Sequence, residues 1–566
     1  MLQELTTSRG EALTGTPWTV YPRPQMKRDS YLNLNGIWDF SGDDPEKFTA
    51  ITVPFCPESA LSGVKEHFAE GTILTYRRRF ALPEGFYRGR VLLHIGAADQ
   101  HAMVYVNQRL LGRHDGGYEA FTVDITDALQ TDNELKILCW DDLNDTRQPY
   151  GKQVLPSKRG GMWYTPVSGI WQTVWLESVP EIHIQKLNIE NRGYGVTIST
   201  VPALDGVVKV AGLGEYELKG GIVAITPDNP RLWSPEDPFL YEFTVEAGED
   251  RVESYFAVRS LEIKRVGEWP RLCLNGKPYF FHGLLDQGYW PDGLFTPAAP
   301  ECYADDILAM KKLGFNMLRK HIKVEPEEFY YQCDRLGMVV FQDMVNNGVY
   351  NFIRDTGLPT VSRLSQKLLP DRNLNKNEGT RKHFLEAMEK TVEQLKNHPC
   401  IVYWTIFNEG WGQFDADAAY ETLRALDDIR WIDSTSGWFR QKKTDVDSRH
   451  VYFRKLKGKG DGKKPLVLSE FGGYSYKLPE HSFNKDHTYG YGKFTDPEAY
   501  ANAVEELYRE QVLPMVREGL CAAVYTQVSD VEDETNGLLT YDRKKEKLAA
   551  APMRLIARTL TDAVKE

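Results

Sequence analysis

Two segments place a carboxylate where it could do chemistry. Residues 401–407 form an unbroken apolar run that ends in Asn408-Glu409-Gly410, and residues 465–468 lead through Ser469 to Glu470-Phe471-Gly472-Gly473. A lone glutamate at the end of a buried strand is more often a cap or an ion-pair partner than a catalyst. Two in the same setting reverse that balance, because strand ends at the C-terminal rim of a parallel barrel are where such enzymes keep their reacting groups. Paired carboxylates there suit general acid and nucleophile work on a glycosidic bond. The retaining form of that reaction needs them only about 5–5.5 Å apart. One must hold its proton at working pH, which burial beside a second carboxylate favours. The other must be ionised to attack the anomeric carbon. The residues alone do not say which is which.

The elements that must position these groups form the last part of the chain. From about residue 268 the pattern alternates between short apolar runs and amphipathic segments. Runs at 279–283, 316–319, 338–343, 401–407, near 433–438 and 450–453, at 465–470 and at 522–527 read as strands. Helices are expected over 304–313, 326–336, 378–397, 416–429, 496–518 and 548–564, with Gly314 and Gly337 as stops. About eight such units over roughly 300 residues is the size of one (β/α)8 TIM barrel. Upstream, residues 1–180 show short strands separated by turn residues, as in a jelly-roll β-sandwich. Residues 181–265 suit a smaller immunoglobulin-like β-sandwich, with 182–184, 195–198, 207–210, 241–245 and 255–258 as strands. The expected fold is therefore multidomain: jelly roll over 1–180, immunoglobulin-like sandwich over 181–265 and barrel over 266–566.

Composition narrows the partners. The chain has 566 residues and a net charge of −12, with no domain-wide basic excess to meet phosphates, so nucleic acid is not expected. Its 13 Trp and 29 Tyr fit sugar stacking but equally fit large cores. The seven cysteines are scattered and never at metal-ligand spacing, which reads as buried reduced thiols. The first fifteen residues lack the apolar core of a signal peptide, and no run is long enough to span a bilayer. A cytoplasmic protein without a membrane partner is expected.

Four motifs, in order, carry a resemblance. YLNLNGIWDF (31–40), YRRRF (76–80), HAMVYVNQRLLGRHDGGYEAFTVDIT (101–126) and WYTPVSGIWQTVWLE (163–177) are similar to the sugar-binding jelly roll of glycoside hydrolase family 2. Arg231-Leu232-Trp233-Ser234-Pro235 with Leu240-Tyr241 resembles its immunoglobulin-like domain. NHPCIVYWTIFNEG (397–410) and LVLSEFGG (466–473) resemble its acid/base and nucleophile segments. The resemblance implies Glu409 as acid/base and Glu470 as nucleophile. It also implies that Asn408 bonds the sugar 2-hydroxyl, a contact that strengthens in the transition state.

Further substrate contacts are expected at other strand ends: Asp286 at the pocket floor, Arg319, His321 and Asp343. Tyr452 would orient the nucleophile, and Trp411 and Trp438 would stack on sugar or leaving group. The family has Arg followed by His-Tyr-Pro where this chain reads Arg319-Lys320-His321-Ile322-Lys323, so the histidine is shifted. Asp530, Glu532, Asp533 and Glu534 occupy the stretch where the glucuronidase branch carries a carboxylate-binding lysine, and four like charges would repel a uronate. They lack the spacing of a calcium loop. No cofactor is expected; some relatives use magnesium, but no ligands for it can be identified. The basic run 455–464 reads as a solvated loop.

The expected activity is a retaining exo-β-glycosidase acting on a carbohydrate substrate, with β-galactoside ahead of β-mannoside, β-glucuronide and arabinopyranoside. A carbohydrate-binding protein without activity is the rival of a different class. A homo-oligomer is compatible with this chain.

Overall fold

The computed structural model describes residues 1–44, 46–357, 370–372, 374–452, 455–456 and 458–565. Phe453, at the end of one expected strand, and Lys457, within the basic run, lie outside the described residues.

The first part of the chain builds two antiparallel sheets. Six strands run in the order Thr49–Val53, Gly36–Ser41, Leu74–Phe80, Asn133–Trp140, His101–Val106 and Arg109–Asp115. Four more run Tyr31–Asn33, Val174–Val179, Arg90–Ile95 and Phe121–Asp124. Alternation dictates the packing: Asn133–Trp140 buries every second residue fully, so Leu135 and Ile137 meet Leu93 and Leu176 of the other sheet in one core. The next part pairs a three-stranded sheet with a four-stranded one, from Lys186–Arg192 to Asp250–Phe256. The strand expected over 182–184 does not form. His183 Nδ1 lies 3.0 Å from Pro180 O and Ile184 N–H donates to Asp250, so these residues make a turn and pairing begins at Lys186.

Eight parallel strands form the barrel: β1 (Phe281–Asp286), β2 (Met317–Lys320), β3 (Val339–Asp343), β4 (Ile401–Asn408), β5 (Trp431–Ser436), β6 (Asp447–Val451), β7 (Leu466–Gly472) and β8 (Leu520–Thr526). All eight residues of β4 are buried, as a strand covered on both faces requires. Helices follow β1 to β4: α1 (Glu301–Leu313), α2 (Glu327–Leu336), α3 (Glu378–Leu395) and α4 (Ala416–Leu426). After β7 come α5 (Pro497–Leu507) and α6 (Leu513–Arg517), and α7 (Ala550–Ala563) ends the fold. The expected helix over 496–518 is thus interrupted, by a wider turn at Tyr508–Val512. Among the described residues no helix follows β5 or β6, so eight full β/α units are not reached. Gly458, Gly460 and Gly462 make a helix costly in the second of these connections.

Closure is also incomplete in one place. Backbone pairing runs β5-β4-β3-β2-β1-β8-β7-β6, and β5 and β6 share no ladder among the described residues. Side chains bridge that seam: Ser436 Oγ lies 2.9 Å from His450 Nε2 and 3.3 Å from Ser448 Oγ, and Ser448 Oγ lies 2.6 Å from Ser469 Oγ on β7.

The sandwiches are fastened to the barrel by buried polar bonds. Trp233 Nε1 donates to Asp334 O at 2.7 Å, and Arg259 donates to Pro399 O and Ile401 O at the foot of β4. A loop of the N-terminal domain reaches the barrel mouth, where the N–H groups of Tyr150 and Gly151 both donate to Asn346 O. All seven cysteines are buried and unpaired. Among the described residues no helix is long and apolar enough to cross a membrane.

Candidate active site

Glu409 and Glu470 come from β4 and β7. After Asn408 the chain leaves β4 through Glu409 and Gly410, both left-handed (φ +52° and +74°). For a glutamate that conformation costs about 1–3 kcal/mol. It is held by Glu409 N–H donating to Ser436 O at 2.9 Å and Trp411 N–H donating to Asn408 O at 3.1 Å. Gly410 admits no side chain, since a Cβ there would stand 2.2 Å from the Phe439 ring. The turn swings the Glu409 carboxylate over the barrel mouth toward Glu470, and oxygens of the two lie within 4.8 Å of each other.

His450 stands between them. A register shift between Arg449 and His450 on β6 re-aims this side chain into the site. Its Nδ1 is 2.8 Å from Glu409 Oε1 and 3.5 Å from Glu470 Oε2. Its Nε2 faces an Arg319 N–H at 3.4 Å and so accepts, which places the proton on Nδ1. These three side chains are also close enough to share a cation. A donating Nδ1 has no lone pair to offer one, so the trio fits a hydrogen-bonded pair of acids better than a metal centre.

Arg319 underlies Glu470. Its guanidinium donates to Glu470 Oε1 at 3.1 Å, to Ser469 O at 3.0 Å, to Asn408 Oδ1 at 2.8 Å, and to both oxygens of Asp343. Tyr452 Oη donates to Glu470 Oε2 at 2.8 Å. Burial pushes both carboxyl groups up, but the outcome differs. At Glu470 the charges of His450 and Arg319, the Tyr452 hydrogen bond and Lys152 overcome burial and hold the pKa below its ordinary value. At Glu409 burial wins over the His450 hydrogen bond, helped by the negative charge of Glu470, and the pKa is raised. The surroundings thus drive the two carboxyl groups apart, Glu409 toward the protonated form and Glu470 toward the ionised one.

Around the pair lies a cavity of about 380 Å³. Asn408, Trp411, Trp438, Tyr452 and His321 line it with Glu409 and Glu470. His321 Nδ1 lies 3.1 Å from Gln287 Oε1, and its Nε2 is 3.5 Å from Glu470 Oε1. Burial, with Lys152 and Arg319 nearby, keeps its pKa well below the ordinary value, so the ring is neutral. Arg319 and Asp343 sit behind the wall, bonded to each other. Asp286, expected at the floor, turns elsewhere: it is paired with Lys320 at 2.7 Å and accepts from Gly288 N–H. Its neighbours Leu285 and Gln287 meet the cavity instead.

The repulsive acidic stretch is also corrected. Asp530 is paired with Lys547 at 2.6 Å, and Glu532 with Arg159 at 3.0 Å and Thr165 N–H at 2.8 Å. Asp533 accepts from Asn484 at 2.9 Å. Of the four, only Glu534 lines the cavity.

Reading the sequence missed His450, Lys152, Gln287 and Thr526 as site residues, and it placed Glu534 near the substrate only as one of four repelling charges. His450 carried a signal, since it lies two residues before Tyr452 and period two puts both on one face of a strand. Lys152 carried none, because it arrives from another domain.

Residues 268–550 match the family model for the glycosyl hydrolases family 2 TIM barrel domain, 59–159 the glycosyl hydrolase 2 galactose-binding domain-like model, and 181–259 the glycosyl hydrolases family 2 model. A β-galactosidase of Thermoanaerobacter pseudethanolicus is 22% identical over 482 residues, covering 78% of this chain and 60% of that protein. A β-glucuronidase of Paenibacillus borealis is 24% identical over 471 residues, covering 73% and 74%. Among solved structures, a β-D-glucuronidase of Dictyoglomus thermophilum superposes with a TM-score of 0.71 at 18% identity, covering 96% of this chain and 98% of that one. A family 2 β-galacturonidase of Eisenbergiella tayi bound to galacturonate gives 0.66 at 18%, covering 96% and 99%. Those structural likenesses bear on the fold. Three domain models matched in order, the barrel model over half of the chain, place this protein in glycoside hydrolase family 2.

Proposed function

We propose that the protein is a retaining exo-β-glycosidase in which Glu470 attacks the anomeric carbon and Glu409 protonates the leaving oxygen. The observation that carries this reading is the pair itself: two carboxyl groups within 4.8 Å whose surroundings drive their pKa values in opposite directions. Such spacing leaves no room for a water between the second carboxylate and the anomeric carbon, so that carboxylate acts as nucleophile. Arg319 and Tyr452 keep Glu470 ionised and aimed. Once the glycosyl ester forms, the charge of Glu470 disappears. Glu409, which has passed its proton to the leaving group, then takes a proton from water as a base while that water attacks the anomeric carbon and frees Glu470. Arg319 fixes Asn408 Oδ1, which leaves the Asn408 amide group to meet the sugar 2-hydroxyl. The exo mode is supported by Lys152, Met162 and Trp163, through which the N-terminal domain walls part of the barrel mouth.

On the sugar, a β-uronide such as a β-glucuronide is better supported than the β-galactoside expected from sequence. β-Glucuronidases stand beside a β-galactosidase among the relatives, and the electrostatic objection falls once Asp530, Glu532 and Asp533 are seen to be occupied elsewhere. A sugar-binding protein without activity would have no use for two adjacent carboxyl groups whose pKa values are driven apart. A panel of 4-nitrophenyl β-glycosides, with the product anomer followed by NMR, tests the proposal: hydrolysis should release the β-anomer first. Release of the α-anomer, or no turnover of any neutral or acidic β-glycoside, would refute it.

A further inference from the structure

We infer that Lys152, carried by the N-terminal domain, is the receptor for the C5 carboxylate of a β-uronide, with Glu534 accepting a hydrogen bond from the neighbouring C4 hydroxyl. This rests on the glycosidase reading and narrows it to a substrate class and to the residues that select it.

Among the described residues, Lys152 is the single lysine or arginine that lines the cavity. It is 8% exposed, yet among the described residues its ammonium has no ion-pair or hydrogen-bond partner. The nearest recorded neighbour is the face of the Tyr164 ring, with Nζ 5.4 Å from its centre. Every other buried cation close by is engaged. Arg319 serves Asp343, Glu470 and Asn408, Lys320 and Lys323 are paired with Glu325, and Lys547 is paired with Asp530. Glu534, Glu470 and Glu409 act on Lys152 only through space, and burial still pushes its pKa down. A buried ammonium that no acceptor touches is costly, and folds tolerate such a cost where a ligand relieves it.

The local backbone is built to hold Lys152 in place. Gly151 is left-handed (φ +62°), and a Cβ there would stand 3.0 Å from both Ile322 O and Tyr118 Oη. Its N–H donates to Asn346 O at 3.1 Å, while Lys152 O accepts from Tyr164 N–H at 3.1 Å. Gln153 next to it is locked by Asp99 and by the Val167 N–H. The loop is thus pressed onto the barrel by its own glycine, and Lys152 is the side chain it delivers.

Glu534 supplies the complementary half. Its Oε2 accepts from Tyr164 Oη at 3.1 Å and from Gln527, which leaves Oε1 for a substrate hydroxyl. A donor and an acceptor side by side match a ring that carries a carboxylate on one carbon and a hydroxyl on the next. A neutral sugar offers Lys152 only hydroxyl oxygens, whose hydrogen bonds are weaker than the charge-assisted bonds of a carboxylate in direct contact.

The test compares kcat/KM for the 4-nitrophenyl β-glycosides of glucuronate, galacturonate, galactose, glucose and 6-phosphogalactose. The parent enzyme should favour a uronide, and K152M should lower the ratio of uronide to neutral-sugar activity by about 100-fold or more. K152R should retain part of that ratio. Should K152M fail to fold, K152Q reads the same quantity. A parent enzyme that prefers a neutral or 6-phospho sugar, or a K152M variant that loses the same factor on every substrate, overturns the inference. Either result leaves the glycosidase reading standing. That reading fails separately, if the parent enzyme turns over neither this panel nor the β-mannoside and α-L-arabinopyranoside added to it.

Discussion

A single imidazole spans the two acids: Nδ1 of His450 lies 2.8 Å from Glu409 Oε1 and 3.5 Å from Glu470 Oε2. It hydrogen-bonds Glu409 and acts on Glu470 electrostatically, and both effects favour the ionised form. Removing it in His450→Leu should raise both pKa values. The nucleophile is lost as pH falls through the pKa of Glu470, and the acid is lost as pH rises through that of Glu409. Both limbs of the kcat/KM profile should therefore move to higher pH. His450→Asn, whose amide can overlay Nδ1, should restore the parent profile in part. A loss of rate with neither limb displaced would reduce His450 to packing.

The two glutamates should respond differently to the leaving group. Glu470→Ala removes the only nucleophile and should abolish turnover of every substrate. Glu409→Ala should slow an alkyl glycoside by about 10²–10⁴-fold, the usual worth of a general acid, but slow the activated nitrophenyl substrate far less, with added azide partly restoring the rate. Equal losses on both substrates would exchange or remove these roles.

Gly151 links a backbone conformation to activity. Gly151→Ala forces a side chain against Ile322 O and Tyr118 and strains a left-handed residue. It should cost about 1–3 kcal/mol of stability. By shifting Lys152, it should also lower kcat/KM by about 10–100-fold. Thermal melting and steady-state kinetics read the two effects separately. A variant that melts early yet keeps its kcat/KM would show that the loop does not position the site.

The Lys547–Asp530 pair makes a prediction about pH. Burial pushes Asp530 up to about 6 even with Lys547 pulling the other way. Between the ordinary value of 3.8 and about 6 the folded chain keeps a proton that the unfolded chain has released, so this group's contribution to stability declines as pH rises through that window. Lys547→Met removes the compensating charge and widens the window upward. It should cost about 3–5 kcal/mol at pH 8 and clearly less at pH 5, where Asp530 can take up a proton. Urea unfolding at the two pH values measures this, and an identical deficit at both would count against it.

The barrel strands were legible because parallel strands covered on both faces read as continuous apolar runs. The abrupt change at Asn408-Glu409-Gly410 and at Glu470 stood out against them. What could not be read depends on distances along the chain that a single strand does not contain. Glu534 sits in an acidic stretch whose charges are neutralised by Arg159 and Lys547, and none of those pairings is local. Asp286 and Gln287 are adjacent, and which of them meets the cavity is decided by Lys320 on the next strand. His450 owes its aim to a register shift on β6. Lys152 owes its place to the docking of one domain on another. Residues 182–184 have a strand's composition, yet bonds to Pro180 and Asp250 claim them for a turn.

The open seam between β5 and β6 has a consequence for how the molecule fails on heating. Where the other strands are stitched by backbone ladders, here the closure depends on Ser436, Ser448, Ser469 and His450. The ring that helps hold the barrel shut is also the ring that aligns its acid. Any breathing of this joint draws His450 away from Glu409 while the remaining ladders are intact, so warming should silence the enzyme some degrees before it melts.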